Sequence, residues 1–155
     1  MSDKSTAKPG FNPAARRKAR HYGMQALYQW QMTKNTLSDI EAQFLTDYDF
    51  SQVDHSYFHD LVFQVPTHLG ELEDAFTPEL QGRVLEELDP IELALLRLGS
   101  YELIHRIDIP YKVVINEAVS LAKKFGASES HKYINAVLDK LALRVRAVEV
   151  KAARA

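Results

Sequence analysis

Between Pro90 and Pro110 the chain carries the segment that most restricts its fold: Ile91 to Ile107 is apolar nearly all round a helical wheel. A helix of that kind cannot rest on a surface with one side in water, so the remaining chain has to wrap around it. The other apolar residues recur at helical spacing and supply the wrapping. Ala19, Gly23, Ala26, Leu27 and Trp30 form one stripe. Leu37, Ile40, Phe44, Leu45 and Tyr48 form a second, and Phe58, Leu61, Val62, Val65 and Leu69 a third. Val114, Ala118, Leu121, Ala122 and Phe125 make a fourth; Ile134, Val137, Leu138, Leu141 and Val145 make a fifth. Short helical turns are expected over Leu72 to Phe76 and Leu80 to Leu88, on either side of a break at Pro78. Pro13 suits a first helical turn, Gly126 a C-terminal cap, and Ser128 or Ser130 the N-cap of the last helix. No stretch alternates with period two for long and no hairpin dipeptide appears. The pattern predicts an all-α, compact bundle of about seven helices with short connections.

The 155 residues suit one domain, large enough to bury a real core. The expected layout is a disordered arm over 1–12, broken by Pro9 and Gly10, one helical domain over 13–147, and a flexible tail over 148–155. The absence of cysteine excludes disulfides and thiolate metal sites, which suits a reducing compartment. No apolar run approaches the ~18 residues of a membrane span, and Met1 to Pro13 lacks the apolar stretch of a signal peptide. A cytoplasmic protein that does not engage membranes is expected.

Charge is unevenly distributed. Residues 1–34 carry a net +6, residues 35–92 a net −13 with Arg83 as their single cation, and residues 112–155 a net +5. If the fold brings the two ends together, the protein has one cationic and one anionic face.

Three clusters could use these charges. Arg16, Arg17, Lys18 and Arg20 open the first helix, and Arg17, Arg20, His21, Met24 and Tyr28 share a helical face opposite the core stripe. Cations that hold phosphates beside an aromatic that stacks on a splayed base suit single-stranded RNA; the bland alternative is a solvated basic face. At the other end Lys123 and Lys124 close one helix, and Ser130, His131, Lys132 and Tyr133 open the next. Free backbone N–H groups at that helix start can also meet an anion. Taken alone, Tyr133 reads better as a core-edge aromatic, and Glu129 either tunes RNA affinity or complements the helix dipole. In the acidic middle, Glu86, Glu87, Asp89 and Glu92 gather at a helix junction and suit a basic protein partner, or serve solubility alone.

Enzyme chemistry finds little support. His55 and His59 stand one helical turn apart beside Asp54 and Asp60, but with no Glu in an H-E-x-x-H arrangement and no obvious third ligand. There is no Gly-rich phosphate loop, nucleophile elbow or cysteine nucleophile. A binding protein without metal or cofactor is expected.

Several strings together resemble the NusB family of bacterial transcription antitermination factors. They are Ala14-Ala15-Arg16-Arg17-Lys18-Ala19-Arg20, Gln25-Ala26-Leu27-Tyr28 and Leu96-Arg97-Leu98-Gly99-Ser100-Tyr101-Glu102-Leu103. To these add Ile109-Pro110-Tyr111-Lys112-Val113-Val114-Ile115-Asn116-Glu117-Ala118, Leu121-Ala122-Lys123-Lys124-Phe125-Gly126 and Ser130-His131-Lys132-Tyr133-Ile134-Asn135-Ala136-Val137-Leu138-Asp139-Lys140. The resemblance runs from Pro13 to about Leu143. It implies an all-α fold of two packed helical halves and binding to the boxA element of ribosomal RNA leader transcripts. It also implies a heterodimer with NusE, a ribosomal small-subunit protein, within a complex on RNA polymerase that resists termination. The RNA contacts it implies are Arg16, Arg17, Lys18, Arg20, Tyr28, Ser130, His131, Lys132 and Tyr133, with NusE on the acidic region from Glu86 to Glu92 and the helix after it. The chain departs from the family pattern at Tyr133, where Phe is usual, and at Glu129, where Asp is; both keep the chemical type. Some members of the wider superfamily are fused to RNA cytosine methyltransferases, for which this chain has no room. The second functional reading is a protein-interaction adaptor in which RNA contact is incidental.

Overall fold

The apolar segment becomes the axis of the fold in the computed structural model, which describes residues 12–155. Eight α-helices occupy those residues: α1 Pro13–Thr33, α2 Leu37–Asp47, α3 His55–Thr67, α4 Leu69–Phe76, α5 Pro90–His105, α6 Tyr111–Phe125, α7 Ser130–Val145 and α8 Ala147–Arg154. Helix α5 packs against α1, α3, α4, α6 and α7, which is why an all-round apolar surface suits it. Its start is sharply fixed. Pro90 supplies the first turn, the Asp89 carboxylate accepts from the Glu92 N–H, and the Glu92 side chain accepts from the Asp89 N–H. Helices α1, α2 and α3 pack on one another in one half, α5, α6 and α7 in the other, and the α1–α5 contact joins them.

Most residues of the expected stripes are buried, while Leu45, Tyr48 and Val145 at their ends are exposed and Trp30, Leu37, Leu69 and Phe125 are half-buried. Ala19, Gly23, Ala26 and Leu27 of α1, Phe58, Leu61, Val62 and Val65 of α3, and Ile134, Val137, Leu138 and Leu141 of α7 are all buried. Two glycines mark close approaches. A Cβ on Gly99 would sit 2.8 Å from Leu138 Cδ1, so α5 and α7 touch nearly backbone to side chain there. A Cβ on Gly126 would sit 2.7 Å from the Ala122 carbonyl oxygen and 3.3 Å from Ser130 Cβ. Gly126 ends α6 with extended backbone, φ −87° and ψ 172°, so space rather than a left-handed turn requires glycine there.

The secondary structure departs from the sequence expectations in three places. Leu80 to Leu88 is not a helix: Gln81 and Gly82 both adopt positive φ, 53° and 87°, and only two single 3-10 turns, Thr77–Glu79 and Leu85–Glu87, flank them. The N-cap of α7 is Glu129, at φ 73° and with no side-chain cap bond, while Ser130 is the first helical residue. The tail expected over 148–155 is helical through Arg154, with Val150 buried and Arg154 paired to Asp139 at 3.0 Å. The arm expected over 1–12 lies, apart from Asn12, outside the described residues; Asn12 itself caps α1, its side chain accepting from the Ala14 and Ala15 N–H groups.

Arg146 explains why the C-terminal segment is held. Its buried guanidinium donates to the Glu102, Leu103, Arg106 and Ile109 carbonyls and to Glu149. The Leu103 carbonyl lies in the last turn of α5, where no intrahelical donor is left, and the Glu102 carbonyl beside it also accepts the Arg106 N–H. Glu149 in turn accepts the Tyr111 N–H at the start of α6, so one side-chain pair ties together the end of α5, the start of α6 and α8. Among the described residues, no helix is long and apolar enough to cross a membrane.

Candidate nucleic-acid interface

The start of α1 and the end of α6 are brought together. Arg17, Lys18, His21 and Tyr22 of α1 line one groove with Lys124 of α6 and with Asp49 and Val53 from the loop before α3. Arg17 is largely exposed; its guanidinium donates through Nε to Glu117 Oε2 on α6 at 3.2 Å. Lys18, Lys123 and Lys124 are exposed. Burial and the neighbouring Lys124 hold His21 below the usual histidine range, so it is neutral at pH 7. Its ring packs 5.1 Å from that of Phe125.

A second, mostly apolar groove lies beside the first, where Phe125 packs on His21 and Tyr48 on Tyr22. Tyr28, with 36% of its surface exposed, lines it with Gln25, Met32, Tyr48, Ile91 and Phe125. An aromatic half open to solvent beside a cationic groove has the composition of a base-stacking platform.

Arg20 does not lie where the helical wheel put it, and neither does Met24. Both are buried, at 4% and 1% exposure. Arg20 Nε donates to Glu102 Oε2 at 2.8 Å, and the Tyr57 hydroxyl donates to the same oxygen. Burial and the Glu102 carboxylate push the Tyr57 hydroxyl far above the usual tyrosine range, so it keeps its proton and remains the donor. Arg16 also turns inward: its guanidinium lies 4.1 Å over the Tyr57 ring and pairs with Asp54, the N-cap of α3. Of the four opening cations, Arg17 and Lys18 are the ones in the groove.

The α7 segment divides in the same way. Lys132 is exposed and pairs with Glu129 at 2.7 Å; His131 is half-buried. Ser130 is buried, and its hydroxyl donates to Glu92. Tyr133 is half-buried, its hydroxyl donates to the Leu80 carbonyl, and Arg83 covers its ring at 4.5 Å.

The acidic junction lies against this segment. Arg83, Glu87, Asp89 and Glu92 line one groove with Ser128, Glu129, Ser130 and Tyr133. The expectation of separate cationic and anionic faces is therefore corrected: the two meet at the start of α7. Glu92 is also not an open docking residue. It is buried and accepts from Arg83, Ser130 and the Asp89 N–H, and those donors hold its carboxyl below the usual range against the effect of burial. Asp89 is committed to capping α5. Glu86 and Glu87 are the exposed members. Sequence reasoning missed Arg83, which joins the acidic junction to Tyr133; its being the single cation in a long acidic stretch was the available signal. His55 and His59 both face Glu41 of α2, with His59 Nδ1 2.6 Å and His55 Nε2 3.8 Å from Glu41 Oε2.

Comparison with known proteins gives a consistent picture. The sequence profile of the NusB family matches residues 17–143. The chain is 58% identical over 141 residues to the transcription antitermination protein NusB of Saccharophagus degradans, covering 91% of this chain and 94% of that one. It is 59% identical over 130 residues to the protein of the same name from Idiomarina loihiensis, covering 84% and 93%. Among solved structures it is similar to T. maritima NusB, with a TM-score of 0.70 and 29% identity over 82% of this chain and 89% of that one. With a family match across nearly the whole helical body and a similar solved fold, this chain belongs to the NusB family, a family of transcription antitermination factors and not of enzymes.

Proposed function

We propose that this chain binds the boxA element of ribosomal RNA leader transcripts as single-stranded RNA, together with NusE, and so helps cytoplasmic RNA polymerase resist termination. The observation that carries the proposal is the groove shared by Arg17, Lys18 and Lys124, beside the groove that holds Tyr28, the rings of His21 and Tyr22 in the first packing on those of Phe125 and Tyr48 in the second. Phosphates lie along the first and a base stacks in the second. Lys123, His131 and Lys132 extend the cationic rim. Arg16, Arg20, Ser130 and Tyr133 support it from within, through Asp54, Glu102, Glu92 and the Leu80 carbonyl. The test compares affinities for boxA-like and scrambled RNA at one salt concentration, with and without NusE. Phosphate contacts carry no sequence information, so modest discrimination alone and sharper discrimination with NusE are expected. A large ratio for the chain alone that NusE leaves unchanged would show a self-sufficient reader instead.

Tyr28→Ala is expected to cost about 1–3 kcal/mol of RNA binding with little change in thermal midpoint, because the ring is already part exposed. A loss of stability with affinity retained would assign Tyr28 to the core. For the partner, reversing the exposed Glu86 and Glu87 to Lys is expected to slow association with NusE and spare isolated RNA binding; an unchanged association rate would move the interface elsewhere.

The engagement of Arg16 and Arg20 in internal pairs favours one second reading, an adaptor that binds proteins and meets RNA only incidentally. NusE binding with no measurable boxA affinity, alone or in complex, would select it.

A further inference from the structure

Away from the RNA grooves, three side chains converge where α3 passes into α4 beside the end of α5. His68 lies between α3 and α4, Glu71 is in the first turn of α4, and His105 is the last residue of α5. One ligand atom from each lies within 4.8 Å of the other two, the one such trio among the described residues. We propose that His68, Glu71 and His105 form a site for a Zn2+-class divalent ion.

The local chemistry fits ligation better than a simple ion pair. His68 Nδ1 is 2.9 Å from the Gln64 carbonyl, a backbone acceptor that fixes the proton on Nδ1 and leaves the Nε2 lone pair to coordinate. His105 Nε2 is 2.8 Å from Glu71 Oε1. A metal takes the place of the proton shared there, and that proton leaves to solvent. The two imidazole rings are 4.2 Å apart. His105 also stacks on Tyr101, whose hydroxyl is anchored on Asp60 at 2.7 Å, so the ring is held in place. The His105 and Glu71 side chains are 30% and 48% exposed, which admits a hydrated ion and leaves water to complete its coordination. Two imidazole nitrogens and one carboxylate select Zn2+, Ni2+ or Cu2+ over Mg2+ or Ca2+. The bound ion would staple α4 to α5.

The test is calorimetric and thermal titration of untagged, chelator-treated protein with Zn2+, and with Mg2+ as control. One equivalent of Zn2+ is expected to bind, and the thermal midpoint is expected to rise by about 5–10 °C at a free concentration a hundredfold above Kd. Mg2+ should do neither. His68→Gln and His105→Gln should each abolish both signals, and Glu71→Gln should weaken them. The double variant His55→Gln/His59→Gln should keep them. No Zn2+-dependent shift in the natural chain, a shift that survives His105→Gln, or one that Mg2+ reproduces would each overturn the site.

Discussion

Arg20→Ala is expected to cost about 3–5 kcal/mol of folding stability and to lower the thermal midpoint by on the order of 10 °C. RNA affinity of the protein that remains folded should change little. The reason lies in what the guanidinium leaves behind. Glu102 is 1% exposed, and its carboxylate is met by Arg20 and the Tyr57 hydroxyl. Removing the cation strands a buried anion in the last turn of α5, with a cavity beside it. A buried ion pair is weak evidence of net stabilisation, because an apolar replacement of both partners is often neutral. Combining Arg20→Met, Glu102→Leu and Tyr57→Phe should therefore recover most of the loss. If Arg20→Ala instead keeps its midpoint and loses RNA, Arg20 turns outward in solution and belongs to the groove.

Arg146→Ala should be comparably damaging, about 3–5 kcal/mol by calorimetry or denaturant titration. One guanidinium there satisfies four backbone carbonyls and Glu149. Truncation takes the Arg146 donor from the Leu103 and Ile109 carbonyls, each costing about 1–3 kcal/mol in part offset by water entry, while the Glu102 and Arg106 carbonyls keep the Arg106 and Ile109 N–H groups. Arg146→Lys should recover little, since an ammonium cannot span the same fork of acceptors. A loss confined to α8, with the midpoint of the remaining helices unchanged, would show that Arg146 anchors only its own segment.

These two arginines also mark the boundary of what the sequence made legible. The helices were readable because burial follows a 3.6-residue period, and Pro90, Pro110 and Gly126 punctuate it. A central α5 followed from an apolar surface that no amphipathic position could accommodate. Arg20 was misplaced because a helical wheel assigns a side chain to a face by its type. Its burial depends on Glu102, far along the chain, and nothing local signals that pairing. Glu92 was misread for the same reason: its role is set by Arg83 and Ser130, which come from different elements. The stretch from Leu80 to Leu88 has apolar residues at helical intervals, yet the left-handed backbone at Gln81 and Gly82 overrides them. The charge blocks were real, but a linear sum cannot show that the acidic junction sits against α7. Of the candidate site, Arg17, Lys18, Lys124 and Tyr28 were legible as surface residues, while the groove that unites the three cations, and its position beside the Tyr28 groove, required the α1–α6 packing.

The most direct test of one cationic RNA groove is the salt dependence of binding to single-stranded boxA-like RNA. It compares the natural chain with Arg17→Ala/Lys18→Ala/Lys124→Ala, with both thermal midpoints recorded alongside. The natural chain should lose affinity linearly in log salt. The triple variant should show a slope shallower by up to ~2, about 0.7 for each phosphate contact removed, at an unchanged midpoint. Identical slopes for the two proteins would contradict it.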